Sequence, residues 1–172
     1  MADLELATLR RLVAARAVRT FADRPVPDET VRAIIDVARW TGSARNRQPW
    51  RFAVVTDPRT RSALARLGAY AEHLRGAPCV LALLAADDGR RDTGFDVGRV
   101  AQSVVMAATT AGLGCCPATL CPDENVERAG RLLGAPDGWQ VRWCFSLGYP
   151  GQAPRGRSAV PTGRRSVDDL LL

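Results

Sequence analysis

The chain contains no lysine: all 24 of its basic residues are arginine. It holds a single histidine, His73, along with two methionines and two tyrosines, and only 6% of its 172 residues are aromatic. One histidine leaves little material for imidazole acid–base chemistry. No G-x-S-x-G elbow accompanies it, so neither a Ser–His–Asp nor a Cys–His machine is supported. The cysteines fall at 79, 115, 116, 121 and 144 without a C-x2-C pair, which speaks against a structural zinc site. Their odd number, and the adjacency of Cys115 and Cys116, argue against a disulfide scaffold and for a reducing compartment, so a cytoplasmic location is expected. There is no Walker motif, and no glycine-rich phosphate turn follows a first strand. The longest apolar run, Pro78 to Ala86, is about half the length a membrane helix needs. The acidic opening Met1-Ala2-Asp3-Leu4-Glu5 lacks the basic region and apolar core of a signal peptide, so no membrane partner is expected.

What is present is ordinary globular material, 47% hydrophobic and 24% charged. The length suits one domain spanning residues 1–172, with no repeat and no linker. The net charge is +6, and residues 1–66 carry all of the excess, with 13 arginines against 7 acidic residues. Arg155, Arg157, Arg164 and Arg165 form a second local cluster. The arginines are scattered and lie beside no recognition motif, so nucleic acid is not an expected partner. Two or three of them would suit a phosphate-bearing cofactor, because the guanidinium fork donates paired hydrogen bonds. With few side chains fit for acid–base work, an enzymatic role would place the chemistry on an organic cofactor.

Hydrophobic spacing predicts helices over 3–15 and from Asp28, read as its N-cap, to about Thr41, the second with a stripe of Val31, Ile34, Ile35 and Ala38. A polar loop, Ser43 to Pro49, leads into a strand over Arg51–Thr56. Asp57-Pro58 reads as a cap followed by proline at the first turn of a helix running to about Leu67. Ala69–Arg75 reads as a short helix. Cys79–Ala85 is apolar throughout, as expected of a strand covered on both faces. The longest helical pattern, Phe95–Ala111, is apolar over most of its surface, so it is either buried at the centre or packed on a partner subunit. Asp87, Asp88, Asp92 and Asp96 straddle a turn and a helix start, where acidic residues usually act as solvated caps. Cys115–Leu120 reads as a loop or short strand, and packing is favoured over a redox role for Cys115, Cys116 and Cys121. A helix from Pro122 or Asp123 to Leu133 closes at Gly134, and Gln140–Leu147 is a final strand. Gly151–Gly163 is expected to have little internal order, and the apolar Val167–Leu172 to dock on something. The order of elements describes an α+β layered domain rather than a doubly wound one.

Several blocks, in order along nearly the whole chain, resemble the nitroreductase family. They are Arg16-Ala17-Val18-Arg19-Thr20-Phe21 with Pro25-Val26-Pro27; Ala38-Arg39 with Ser43, Asn46 and Gln48-Pro49-Trp50-Arg51-Phe52; and Asp96-Val97-Gly98, Ala101-Gln102 and Gly112-Leu113-Gly114. The match continues through Leu132-Leu133-Gly134 and Pro136-Asp137-Gly138-Trp139 to Leu147-Gly148-Tyr149-Pro150, with Arg164-Arg165-Ser166-Val167 near the end. The resemblance implies a central, mainly antiparallel sheet flanked by helices. It also implies a homodimer that exchanges its C-terminal segment and builds two FMN sites at its interface. It further implies hydride transfer from NAD(P)H, NADPH included, through the flavin to a nitroaromatic, quinone or related small-molecule acceptor. By the same resemblance Arg16, Arg19, Arg164 and Arg165 hold the FMN phosphate. Ser43, Asn46 and Gln48 line the ribityl chain and ring, and backbone at Pro117, Ala118, Thr119 and Leu120 lies near the flavin edge. Ala15 and Ala17 stand where the family usually has an arginine and a serine, and residues 86–95 are short where relatives insert a lid. The alternative is therefore a non-catalytic, flavin-binding or deazaflavin-binding member with a degenerate phosphate site.

Overall fold

The computed structural model describes residues 2–152 and 163–172. Its elements are α1 (Ala2–Val13), α2 (Asp28–Ala38), β1 (Trp50–Val55), α3 (Pro58–Ala65), α4 (His73–Gly76), β2 (Cys79–Ala86), α5 (Arg91–Thr110), β3 (Gly114–Thr119), α6 (Asp123–Leu133) and β4 (Trp139–Gly148). The strands form one antiparallel sheet in the order β1-β2-β4-β3, giving the expected α+β architecture.

The continuous apolar run of β2 is explained by its central place in this sheet. Cys79, Leu81, Leu83 and Ala85 pack on one face with Val31, Ile34 and Ala38 of α2 and Val97, Val100 and Val104 of α5. Val80, Ala82 and Leu84 pack on the other face with Leu64 of α3, Leu74 of α4 and Val126 and Ala129 of α6. The alternation of a strand thus delivers its side chains to two separate cores, and both must be apolar.

Local chemistry sets several boundaries. Asp57 caps α3, accepting the Thr60 N–H at 2.7 Å, with Pro58 in the first turn. Gly134 ends α6 in the left-handed conformation, φ 62°. Some expectations shift. Pro27, not Asp28, is the N-cap of α2, and it makes no side-chain capping bond. The helix expected over Ala69–Arg75 covers only His73–Gly76. Residues 114–119 form a strand, so Cys115 and Cys116 are buried in the sheet and only Cys121 lies exposed beyond it. α5 begins at Arg91, four residues earlier than its apolar pattern suggests.

α5 is buried on one side only. Thr93, Asp96, Val97, Val100, Val104, Ala107 and Ala108 face the sheet layer. Phe95, at 71% exposure, points away from it. Leu6, Leu9 and Val13 of α1, and Val37 and Trp40 at the end of α2, are also large exposed apolar residues. Val167, Leu170 and Leu171 are exposed in the described C-terminal segment. The stretch 153–162, with Arg155 and Arg157, lies outside the described residues. Among the described residues no helix is long and apolar enough to cross a membrane.

Candidate functional site

Two groups of the predicted site residues fall at two corners of the sheet. The first corner is the loop before β1. A single 3-10 turn, Ala44–Asn46, carries it from α2 to the strand. The loop closes on itself: the Gln48 N–H donates to Ser43 Oγ at 2.8 Å, and Gln48 Nε2 donates to Asn46 Oδ1 at 3.1 Å. Ser43, Asn46 and Gln48 are therefore brought together as expected. Both amides are exposed, so they retain donors and acceptors for a ligand. Pro49 and Trp50 are buried immediately behind them, which places Trp50 in the core.

Sequence reasoning missed what lies beneath this loop. Arg47, 18% exposed at its side chain, turns inward toward the start of α5. Its Nη1 donates to Asp88 Oδ2 at 2.7 Å and to Thr93 Oγ1 at 3.3 Å, and its Nη2 donates to Asp92. Asp96, only 2% exposed, accepts the Ala44 N–H at 2.9 Å. These aspartates are not the solvated caps that the sequence suggests; they grip the loop. Burial pushes the Asp88 carboxyl up, but the Thr93 hydroxyl, the Arg90 amide and the Arg47 and Arg90 guanidiniums outweigh it and hold the group below its ordinary value. The signal was available in the four-residue spacing of Asp92 and Asp96, which sets these two carboxylates along one face of α5.

The second corner is the start of β3. Here the segment after α1 lies as an arm along the sheet end. The Val18 N–H donates to Cys115 O at 3.0 Å, Ala22 N–H to Tyr149 O at 2.9 Å, and Gly151 N–H to Thr20 O at 3.0 Å, while Phe21 bridges Pro150. The Arg24 guanidinium stacks 3.8 Å above the Tyr149 ring. Gly114 and Gly148 make this approach possible. A Cβ on Gly114 would lie 2.5 Å from Val18 Cγ1, and one on Gly148 2.6 Å from Pro78 Cδ and 2.9 Å from Phe21 Cδ1. Arg16 and Arg19 are carried on this arm with exposed side chains. Arg19 reaches over the sheet edge. Burial pushes the Cys116 thiol up, and the Arg19 guanidinium beside it pulls it partly back.

His73 sits under the same corner. Its Nδ1 lies 2.8 Å from Ser146 Oγ, which in turn lies 3.3 Å from Cys116 O. Ser146 has one hydroxyl proton; donated to Cys116 O, it leaves Oγ to accept from His73 Nδ1–H. Burial first, and the Arg19 charge second, hold His73 below its usual value, so the ring is neutral at neutral pH. Ser146 is fully buried, so this Ser–His pair ties α4 to β4 and presents no nucleophile. Burial also pushes Cys79 up to about 11 and Cys115 and Cys144 up to about 12, which keeps these thiols protonated and supports a packing role.

Pro117 and Thr119 are exposed on β3, while Ala118 and Leu120 are buried. β3 lies at one edge of the sheet and β1 at the other, and the two begin at opposite ends, since Gly114 pairs with Gly148 whereas Trp50 pairs with Ala85. The arm and the Ser43–Gln48 loop are thus on a diagonal. Three interstrand gaps and one strand length put them on the order of 20–25 Å apart. Within one chain the structure does not bring the two groups together. The hydrogen bonds described for residues 163–172, such as Arg164 Nη1 to Gly163 O at 2.6 Å and Ser166 N–H to Asp169 at 3.2 Å, are local. They join Arg164 and Arg165 to neither corner.

The donor chemistry fits a phosphorylated flavin in parts: exposed guanidiniums at the start of β3, strand backbone toward its far end, and paired amides and a serine at the start of β1. Residues 12–71 and 65–149 match the family model described as the nitroreductase family, and the chain belongs to that family. It is 27% identical over 160 residues to a protein of Methanothermobacter thermautotrophicus, provisionally named an NADH dehydrogenase/NAD(P)H nitroreductase; the match covers 91% of this chain and 84% of that one. The nitroreductase NfnB of Mycolicibacterium smegmatis is 28% identical over 197 residues, covering 80% of this chain and 84% of its own. Among solved structures, an FMN-dependent nitroreductase of Clostridium difficile R20291 superposes with a TM-score of 0.76 at 21% identity, over 86% of this chain and 90% of the other. That likeness is one of fold.

Proposed function

We propose that this nitroreductase-family chain, an NAD(P)H-dependent oxidoreductase, works as a homodimer of single-domain subunits in the cytoplasm, with FMN at sites built from both subunits. FMN supplies the chemistry when bound, taking hydride from NAD(P)H and delivering it to a nitroaromatic, quinone or related small acceptor. The chain's own residues bind and orient. Arg16 and Arg19, joined by Arg164 and Arg165, neutralise the phosphate. Ser43, Asn46 and Gln48 hydrogen-bond the ribityl chain and ring. The Pro117–Leu120 backbone borders the ring edge.

The diagonal separation of the two half-sites carries this reading. A single flavin that uses both must take the arm from one subunit and the loop from the other, as a twofold axis provides. The exposed outer face of α5, with Phe95 and the neighbouring apolar residues of α1 and α2, supplies an apolar surface for such a pairing. Exchange of the C-terminal segment would place Val167, Leu170 and Leu171 on the partner.

The test is a spectrum of the purified protein with added FMN, before and after NADPH without oxygen, together with its mass by light scattering. Flavin absorbance that bleaches, in a particle of about twice 18.6 kDa, is expected. A colourless monomer that takes up no FMN overturns the proposal. Ala15 and Ala17, in place of an arginine and a serine, favour a weaker phosphate grip. Uptake of a deazaflavin but not FMN would select that alternative.

A further inference from the structure

We infer that Arg47 and Asp96 are the positioning residues of the Ser43–Gln48 loop: they impose the backbone shape that turns Asn46 and Gln48 toward a ligand. The loop adopts an unusual conformation, with φ of 53° at Arg45, 54° at Asn46 and 51° at Gln48. Asparagine tolerates this left-handed region, but arginine and glutamine do so only when their surroundings hold them there. The hydrogen bonds inside the loop do not link it to the rest of the fold. Asp96 and Arg47 do.

Asp96, buried in the second turn of α5, receives the Ala44 N–H at 2.9 Å and so fixes the entry to the turn. Arg47, between the two amide residues, is drawn under the loop by Asp88, Asp92 and Thr93. With the middle side chain pinned inward, the flanking side chains of Asn46 and Gln48 are left outward, where they pair with each other. The carboxylates are themselves fixed: Asp88 Oδ1 accepts from Thr93 Oγ1 at 2.8 Å and from the Arg90 N–H at 3.1 Å. Arg99 lies 3.8 Å from Asp96 and donates to Gly42 O at 2.6 Å, tying the residue before the loop to the same helix. Arg47 Nε is buried without an acceptor among the described residues, so this guanidinium is held through its Nη groups alone. Asp88, Asp92 and Asp96 face Arg47, Arg90 and Arg99, a balanced set that leaves no charge to draw a ligand. The cluster shapes the loop and does not itself bind.

The loop's contact with flavin rests on the function proposed above; the clamp does not. The experiment therefore reads both. Hydrogen exchange at the Ala44 amide is measured without cofactor in the native chain, Asp96→Ala and Asp96→Asn. FMN affinity and the midpoint potential of the bound flavin are then titrated in each. Loss of a hydrogen bond to a charged group predicts faster Ala44 exchange and weaker FMN binding, each by on the order of tenfold, in Asp96→Ala. Asp96→Asn, which keeps an acceptor oxygen, restores most of both. Among variants that still bind, the flavin potential shifts, which a purely structural loss would not cause.

Unchanged Ala44 exchange, or Asp96→Asn behaving like Asp96→Ala, overturns the clamp. A native chain that takes up no FMN overturns the flavin reading, while Ala44 exchange still decides the clamp. If Asp96→Ala fails to fold, Arg47→Lys carries the test. Its ammonium lacks the fork that spans Asp88 and Asp92, so the same pattern is expected, and native behaviour overturns the inference.

Discussion

At the start of β1 the loop is held by charged side chains reaching up from α5; at the start of β3 the arm is held by backbone hydrogen bonds laid over glycines that have no side chain to obstruct it. Both corners present polar groups for the same proposed cofactor, yet they are built from opposite materials. A charged clamp is directional and fixes a turn in one shape. Close backbone approach fixes a distance and leaves the arm's side chains, Arg16 and Arg19, exposed to adapt. Rigidity would suit the corner proposed to hydrogen-bond the ribityl chain and ring, and adaptability the one proposed to meet a phosphate.

The comparison breaks most easily at Gly148. Valine there would meet the rigid Pro78 ring as well as Phe21, and overpacking of this kind costs about 3 kcal/mol. For a chain of this size that lowers the melting temperature by roughly 6–12 °C. A native melting curve for Gly148→Val would show that glycine does not hold the arm. Gly114→Val strikes Val18 on the arm, which can lift from β3, so a smaller stability loss is expected, with faster exchange at the Val18 amide and an undisturbed Ala44.

A smaller effect separates the corners by pH. His73 belongs to the arm corner, and its folded value lies below its ordinary 6.5. The unfolded chain therefore takes up the proton first, and stability falls as pH drops below about 6.5 toward the folded value. Urea midpoints measured between about pH 5 and 8 should decline in that window for the native chain and flatten there in His73→Asn. An identical decline in both would remove His73 as its cause. Depressed carboxylates such as Asp57 and Asp88 titrate in a lower window and do not obscure it.

The smallest effect is read by chemical access rather than by stability. A thiol reagent at neutral pH should label Cys121 alone, since the other cysteines are buried. In Gly114→Val, where the arm lifts from β3, Cys116 should become the second site. Labelling of Cys116 in the native chain would mean that the arm does not cover it.

The sequence was most legible where structure follows from neighbours along the chain. Asp57-Pro58, the stripe of α2, the apolar run of β2 and Gly134 each carry their cause within a few residues. It was least legible where a residue's role depends on a distant partner. The apolar pattern of α5 begins only at Phe95, because the polar side chains of Arg91-Asp92-Thr93-Gly94 give its first turn no apolar stripe. Thr93 and Asp96 are buried because Arg47 and Ala44, some 50 residues earlier, meet them there. Cys115–Leu120 read equally as a loop or a short strand because neither cysteine shows that β4 lies alongside. The motif residues Ser43, Asn46 and Gln48 were found together, but the side chain that orients them carries no motif of its own. A relation between the two corners was suggested only by the family resemblance, because in the proposed arrangement it would depend on a second subunit.

Pro117 has a consequence for behaviour in concentrated solution. Gly114, Cys116 and Ala118 pair toward β4, whereas the Cys115 carbonyl points outward to the arm, so Pro117 occupies an outward position. There its missing N–H disrupts no bond within the sheet but interrupts the row of donors that another strand would need. With Val18 already occupying Cys115, this edge offers only a short and broken template for uncontrolled strand addition. A residue proposed to border the cofactor thus also protects the protein against aggregation along that edge.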